Sequence, residues 1–336
     1  MMTGCTGFSW DTADGKHLLG RTYDQFGNLN DNRIAVIPRN YRMKTEPEEQ
    51  SNSAVVVRYA FAGMAILGAP VPIMVDGINE GGLMGILLNY PGCAFYDTRP
   101  RGAYRPVHPG FLVGYLLGQC ATVEEAVRHL SVLNLTGDKM FGEEMAVHYM
   151  FSDATGEAAI IEPDEDGIHV HRNTLGVMTN SPGYLWQRTN LRNYTAVTNL
   201  NTPPTRIINE EFRCFGRGTG GSFGLPGDYS SPARFVRMAM TKNFAVRGQD
   251  EADGVDRMFR CFAPVDIPEG LLKATADGAD YHQTLGIAVM CAESRIYYFA
   301  TGANRRIRAL SLYKELENKE IKYFELQDRQ DVLYLN

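Results

Sequence analysis

The sequence has no long apolar run, no block of basic residues, no close-set cysteine pair and only two tryptophans. Each absence excludes something. The longest uncharged apolar stretch, Tyr59 to Val75, is broken by two glycines and two prolines, whereas a bilayer-spanning helix needs about 20 predominantly apolar residues. Membrane insertion is therefore excluded as an expectation. Lys and Arg number 33 against 39 Asp and Glu, a net charge of −6. A nucleic-acid binder normally carries a basic patch or stripe, so nucleic acid is not an expected partner. The six cysteines, Cys5, Cys93, Cys120, Cys214, Cys261 and Cys291, contain no C-x-x-C pair. The opening Met-Met-Thr-Gly-Cys has neither a basic n-region nor an apolar h-region. A cytoplasmic protein with free thiols is the expectation, with Cys5 set apart from the rest.

What is present describes a folded globular chain. Hydrophobic residues make up 44% and charged residues 21% of 336, close to the soluble average. Apolar runs punctuated by Gly, Asp and Asn predict strands at Gly4–Trp10, His17–Arg21, Arg33–Pro38, Ala54–Tyr59, Ile73–Asp76 and Leu83–Asn89. Helices are expected at Gly110–Cys120 and, behind a Thr122-Val-Glu-Glu125 capping box, to about Leu130. A hairpin follows from Met145 to Glu162, with further strands at Ile168–His171 and Gly176–Thr179. Ser181-Pro182 and Ser231-Pro232 each read as a cap and first turn, opening helices to Tyr194 and Ala245. Another helix is expected over Val255–Phe262. Strands return at Thr284–Cys291, Arg295–Thr301 and Arg306–Leu312. Strands, then helices, then strands indicate an α+β fold with packed sheets and outer helices. No segment reads as an interdomain linker.

The chemistry begins at Cys5. It follows a glycine, and cleavage between Gly4 and Cys5 would make it an N-terminal residue with thiol and α-amine side by side. That amine has a reference pKa of about 7.7–8.0, which suits a base beside the nucleophile. Gly4 is expected to supply an unusual backbone geometry for the cut. The first two strands form a hairpin that brings Arg21 and Asp24 near Cys5, the guanidinium to lower the thiol pKa and the carboxylate to hold the amine. Asn89 and Asn180 end apolar strands, where side-chain amides can donate to an oxyanion. Arg234 sits in the first turn of a helix, where the dipole disfavours a cation, so charge balance near Asp24 is its expected task. The Gly216-Arg-Gly-Thr-Gly-Gly221 run matches a dinucleotide fingerprint but no helix follows it and no βαβ unit surrounds it. It reads as a loop, which argues against a nicotinamide oxidoreductase. His169 and His171 share a strand face without a third ligand, so no metal is expected.

Seven collinear motifs carry a resemblance: Cys5-Thr-Gly, Gly20-Arg-Thr-Tyr-Asp24, Ile37-Pro-Arg-Asn-Tyr41, Asp76-Gly-Ile-Asn-Glu80, Leu88-Asn-Tyr-Pro-Gly92, Val177-Met-Thr-Asn-Ser-Pro182 and Gly224-Leu-Pro-Gly-Asp-Tyr-Ser-Ser-Pro-Ala-Arg-Phe235. In this the chain resembles the choloylglycine hydrolases, which include bile salt hydrolases and penicillin V acylases. The resemblance implies an N-terminal nucleophile hydrolase with a four-layer αββα sandwich. It implies a homotetramer acting on a small-molecule linear amide with an apolar acyl group, without metal or organic cofactor. Cys5 would be the nucleophile and its amine the base. Arg21 and Asp24 would tune it, Asn89 and Asn180 would form the oxyanion hole, and Arg234 would complete the cluster. Residues 1–4 would be a leader removed by processing, and 5–336 one hydrolase domain. Tyr23 stands where many members have Met or Leu lining the acyl pocket, and Cys93 is expected to face that pocket too. Asn89 in its Leu-Asn-Tyr-Pro setting favours bile salts over penicillin V or another N-acyl amide such as an acyl-homoserine lactone. A binding protein on the same scaffold is the rival from another class.

Overall fold

The computed structural model describes residues 4–47, 53–69, 71–96, 104–216, 220–273, 275–276, 278 and 280–336. Among them, seven strands form one sheet along the path Val177–Met178, Gly4–Asp11, His17–Phe26, Tyr281–Cys291, Ile296–Thr301 and Arg308–Ser311, with Leu272–Lys273 joining Tyr281–Cys291. Nine strands form a second sheet, ordered Gly167–His171, Ala158–Asp164, Val147–Ser152, Met84–Asn89, Asp76–Asn79, Phe61–Ile66, Asn32–Ile37 and Lys322–Phe324, with Ile73–Met74 against Phe61–Ile66. Pairing is antiparallel within both sheets, as at Gly4–Asp11 against His17–Phe26 and Val147–Ser152 against Met84–Asn89.

Period-two alternation explains the layering. In Met84–Asn89, Ile86 and Leu88 turn toward the seven-stranded sheet, while Leu87 turns outward. Tyr149, Phe151 and Ile161 join Leu87 in an outer core covered by the helices Leu112–Gln119 and Val123–Leu130. On the far side, the helices Ser231–Phe244 and Glu251–Cys261 cover the seven-stranded sheet, with Phe262 edge-on to Phe8 at 4.9 Å between ring centres. The result is α, β, β, α. Gly20 permits this close approach: a Cβ there would lie 2.8 Å from the Ala288 carbonyl oxygen and 3.0 Å from Met258.

Several local readings are corrected. The apolar stretch Tyr59–Val75 holds a central strand, Phe61–Ile66, that glycines and prolines concealed. Thr122 does cap its helix, accepting from Glu125 N at 3.2 Å, but the Glu125 carboxylate reaches Ala121 N. Ser181-Pro182 is not a cap. Ser181 Oγ donates to the Pro91 carbonyl at 2.7 Å, the Ser181-Pro182 peptide is cis, and the helix Tyr184–Asn190 starts from Gly183. For the next helix the cap is Ser230, one residue before the expected one. The loop run Gly216–Gly221 lies partly outside the described residues.

Candidate active site

Strand register sets the site. Pairing places Gly4 opposite Asp24 and Cys5 opposite Tyr23. Cys5 is fully buried, as are Arg21 and Asp24. Arg21 comes from the strand beside Cys5 and its Nη2 donates to Cys5 Sγ at 2.7 Å. The guanidinium is held by three carbonyls: Nε on Thr22 at 3.1 Å, and Nη1 on Val75 and Leu87, each at 2.9 Å. Leu87 belongs to the nine-stranded sheet and Val75 joins two of its strands, so Arg21 ties the sheets together behind the thiol. Burial pushes the Cys5 thiol up from its ordinary value, and the Arg21 charge opposes that rise. Burial also disfavours the Arg21 cation, but the charges of Cys5, Asp76, Tyr23 and Asp24 together more than offset it.

Asp24 has other partners in the intact chain. Its carboxylate accepts from Thr22 Oγ1 at 3.0 Å and Thr284 Oγ1 at 2.7 Å, and it does not hold the Cys5 nitrogen. Register is the reason: the Asp24 backbone flanks the thiol while the side chain turns to the neighbouring strand. The Cys5 nitrogen instead donates to Asn180 Oδ1 at 3.0 Å. Arg234 Nη2 donates to the same oxygen at 2.7 Å, and its Nη1 donates to the Cys5 carbonyl at 2.6 Å and Thr6 Oγ1 at 2.8 Å. Asp24 and Arg234 meet through charge rather than a hydrogen bond. Burial raises the Asp24 pKa and Arg234 heads the groups that lower it.

Asn180 links the two asparagines. Its Nδ2 donates to the Asn89 carbonyl at 2.7 Å, leaving its second amide hydrogen uncommitted. The Asn89 side chain makes no hydrogen bond among the described residues. Asn89 lines a cavity of about 820 Å³ with Gln25, Ile66, Ile73, Met140, Met145 and Val147 among its walls. Tyr23 is not on that wall. It is 3% exposed, its ring lies 5.0 Å from the Arg21 guanidinium, and burial lifts its hydroxyl pKa to about 12. Cys93 lies on a different surface feature. The turn at Gly92, with φ of 73°, carries it to a shallow depression with Tyr90, Phe95 and Asp164.

The expected site residues thus divide. Cys5, Arg21, Asp24, Asn180 and Arg234 share one buried cluster, Asn89 adjoins it at the cavity, and Tyr23 and Cys93 lie off the cavity wall. Sequence reasoning missed the supporting residues. Asp76, inside a quoted motif, balances Arg21 and accepts from Met64 N at 3.0 Å and Tyr297 Oη at 2.8 Å. Ser231 Oγ accepts from Asn180 N at 3.0 Å. Beneath them, Glu162 accepts from His148 at 3.3 Å, His171 at 3.0 Å and Tyr184 N at 2.8 Å, and His148 Nε2 meets the Thr179 carbonyl at 2.7 Å. His171 therefore serves this network, and His169 pairs with Asp166 at 2.6 Å. Among the described residues no cluster of three or more His, Cys, Asp or Glu side chains is placed to hold a metal.

A four-layer αββα sandwich with a buried cysteine at the start of its first described strand has the architecture of N-terminal nucleophile hydrolases. The chain belongs to the linear amide C–N hydrolases of the choloylglycine hydrolase family, whose family model matches residues 5–324. It is 28% identical to the bile salt hydrolase/transferase of Clostridium perfringens over 336 residues, covering 99% of this chain and 100% of that protein. It is 29% identical to the bile salt hydrolase/transferase of Lactiplantibacillus plantarum over 337 residues, again 99% and 100%. A crystal structure of a mutant conjugated bile acid hydrolase from C. perfringens superposes with a TM-score of 0.89 at 28% identity, over 99% of this chain and 100% of that one. Penicillin V acylase from Agrobacterium tumefaciens shares the fold, with a TM-score of 0.74 at 22% identity over 95% and 90% of the two chains.

Proposed function

We propose that this enzyme deconjugates glycine and taurine bile salts, with Cys5 as an N-terminal nucleophile released by removal of residues 1–4 from a single hydrolase domain of residues 5–336. One observation carries the reading: Asn89, whose carbonyl accepts from Asn180 of the Cys5 cluster, also lines a large cavity with an apolar side of Ile66, Ile73, Met140, Met145 and Val147 and a charged rim of Lys139 and Glu144, which suits an apolar acyl group. The full-length relatives named as bile salt hydrolases support it. The Cys5 thiolate, stabilised by Arg21, attacks the amide carbon. The oxyanion sits between Asn89 and the free amide hydrogen of Asn180. The Cys5 amine, held by Asn180 Oδ1, hands a proton to the leaving glycine or taurine, and water then clears the thioester.

Initial rates on glycocholate, taurocholate and penicillin V, with Cys5→Ala as control, test this. Bile salts are expected to be cleaved fastest, Cys5→Ser to lose most activity and Cys5→Ala all of it. Faster penicillin V cleavage overturns the substrate assignment, and turnover by Cys5→Ala overturns the nucleophile.

We further propose a homotetramer working in the cytoplasm. The free cysteines suit a reducing compartment, and the exposed apolar residues Ile207, Ile208 and Phe212 of the Thr205–Phe212 hairpin suit contact with another copy.

A further inference from the structure

Gly4 lies in regular strand geometry rather than the unusual conformation expected for it, so its lack of a side chain has another cause. A Cβ on Gly4 would stand 2.6 Å from Cε1 and 3.1 Å from Nε2 of His282. His282 belongs to the strand Tyr281–Cys291 and is 8% exposed, its ring tilted against Phe26 at 5.3 Å. Its Nε2 is buried and has no hydrogen-bond partner among the described residues. An orphaned buried nitrogen is costly, and this one lies on a ring edge packed against the residue whose carbonyl must be cut to free Cys5. The amide hydrolysis proposed above makes no use of it.

We propose that His282 is the general base for the water that releases Cys5 from Gly4, an inference that rests on the reading of Cys5 as a freed N-terminal nucleophile. In the first step Cys5 Sγ bonds to the Gly4 carbonyl carbon, the Gly4–Cys5 C–N bond breaks, and the thiol proton ends on the Cys5 nitrogen. The new amine can attack back and restore the peptide, so the cut becomes permanent only when water intervenes. A water oxygen then bonds to the thioester carbon while His282 Nε2 takes one of its protons. The C–S bond breaks and Nε2 passes that proton to the departing sulfur. The products are the Met1–Gly4 acid and a free Cys5. Burial, helped by the Arg234 charge, holds the imidazole below its ordinary pKa, against a pull from the Asp24 backbone. The ring is therefore neutral and able to accept.

The full chain, purified with a C-terminal tag, is followed by intact mass with and without hydroxylamine, which traps thioesters as hydroxamates. Wild type is expected to lose residues 1–4. His282→Gln is expected to lose them about 10²–10⁴-fold more slowly, the range of general base catalysis, yet to shed them as the hydroxamate when hydroxylamine is added. Cys5→Ala releases nothing under either condition. If His282→Gln fails to fold by thermal melt, His282→Asn takes its place. Release at the wild-type rate without His282 overturns the proposal. So does a folded variant that keeps its leader even with hydroxylamine, because the defect then lies before the thioester. A wild-type chain that never loses its leader overturns the reading of Cys5 beneath it.

Discussion

Arg21 is the residue that most directly meets the Cys5 sulfur. It is fully enclosed, it meets the sulfur at 2.7 Å, and its charge acts against the burial that raises the thiol pKa. Activity that needs the thiolate rises with pH through that pKa. Arg21→Met should therefore move the rising limb of the kcat/KM profile to higher pH and depress the rate near neutrality. An unmoved limb would show that the cation does not tune the sulfur. Asn180→Ala, measured on processed protein, should lower kcat about 10²–10³-fold, the scale of one lost oxyanion donor; an unchanged kcat would remove it from the hole. The sequence pointed to Arg21 through the hairpin that carries it to Cys5, and to Asn180 as a side-chain amide at the end of an apolar strand. It did not show Thr284 or His282, which come from a strand more than 250 positions away and carry no local pattern. Nor did it show that the Asp24 carboxylate would accept from Thr22 and Thr284, since strand register decides which flank of a residue faces the sulfur, and register is not written in residue type.

At the scale of elements, the regular strands and the Thr122 cap were legible because alternation and capping are local. The strand Phe61–Ile66 was not, since a strand buried on both faces has no alternation to display. Ser181-Pro182 misled for a related reason: the serine hydroxyl is taken by the Pro91 carbonyl from across the site. The strand segment leading to Asn180 rests on Glu162 and its histidines, and this support titrates. Burial alone would raise the Glu162 pKa, but hydrogen bonds from His148 and His171 bring it to about 2. A folded pKa below the unfolded value of about 4.3 stabilises the fold above that value, and the contribution is lost as pH falls toward 2. The melting temperature should therefore drop between about pH 4.5 and 2, and Glu162→Gln should flatten that part of the curve while lowering stability at pH 7. A Glu162→Gln curve parallel to wild type would dissociate the carboxylate from acid sensitivity.

Across the whole molecule, the sandwich buries its apolar faces layer against layer, and what stays exposed stands out. Leu200, Ile207, Ile208, Phe212 and Phe223 are 48% to 87% exposed in one stretch of chain. Ile208 is the most telling. It sits in the turn between the strands Thr205–Ile207 and Glu210–Phe212 with φ of 57°, a left-handed conformation that glycine and asparagine adopt readily and a β-branched residue does not. Nothing among the described residues repays an exposed isoleucine there, which fits a side chain used by a neighbouring copy. Replacing it with asparagine should relieve the turn and weaken assembly together. By light scattering, wild type should run at four chain masses. Ile208→Asn and Ile208→Asp should shift toward smaller species on dilution, the aspartate more strongly, with the monomer's far-ultraviolet spectrum retained. A wild-type monomer would refute the tetramer, and a tetramer indifferent to both substitutions would place the interface on another face of the sandwich.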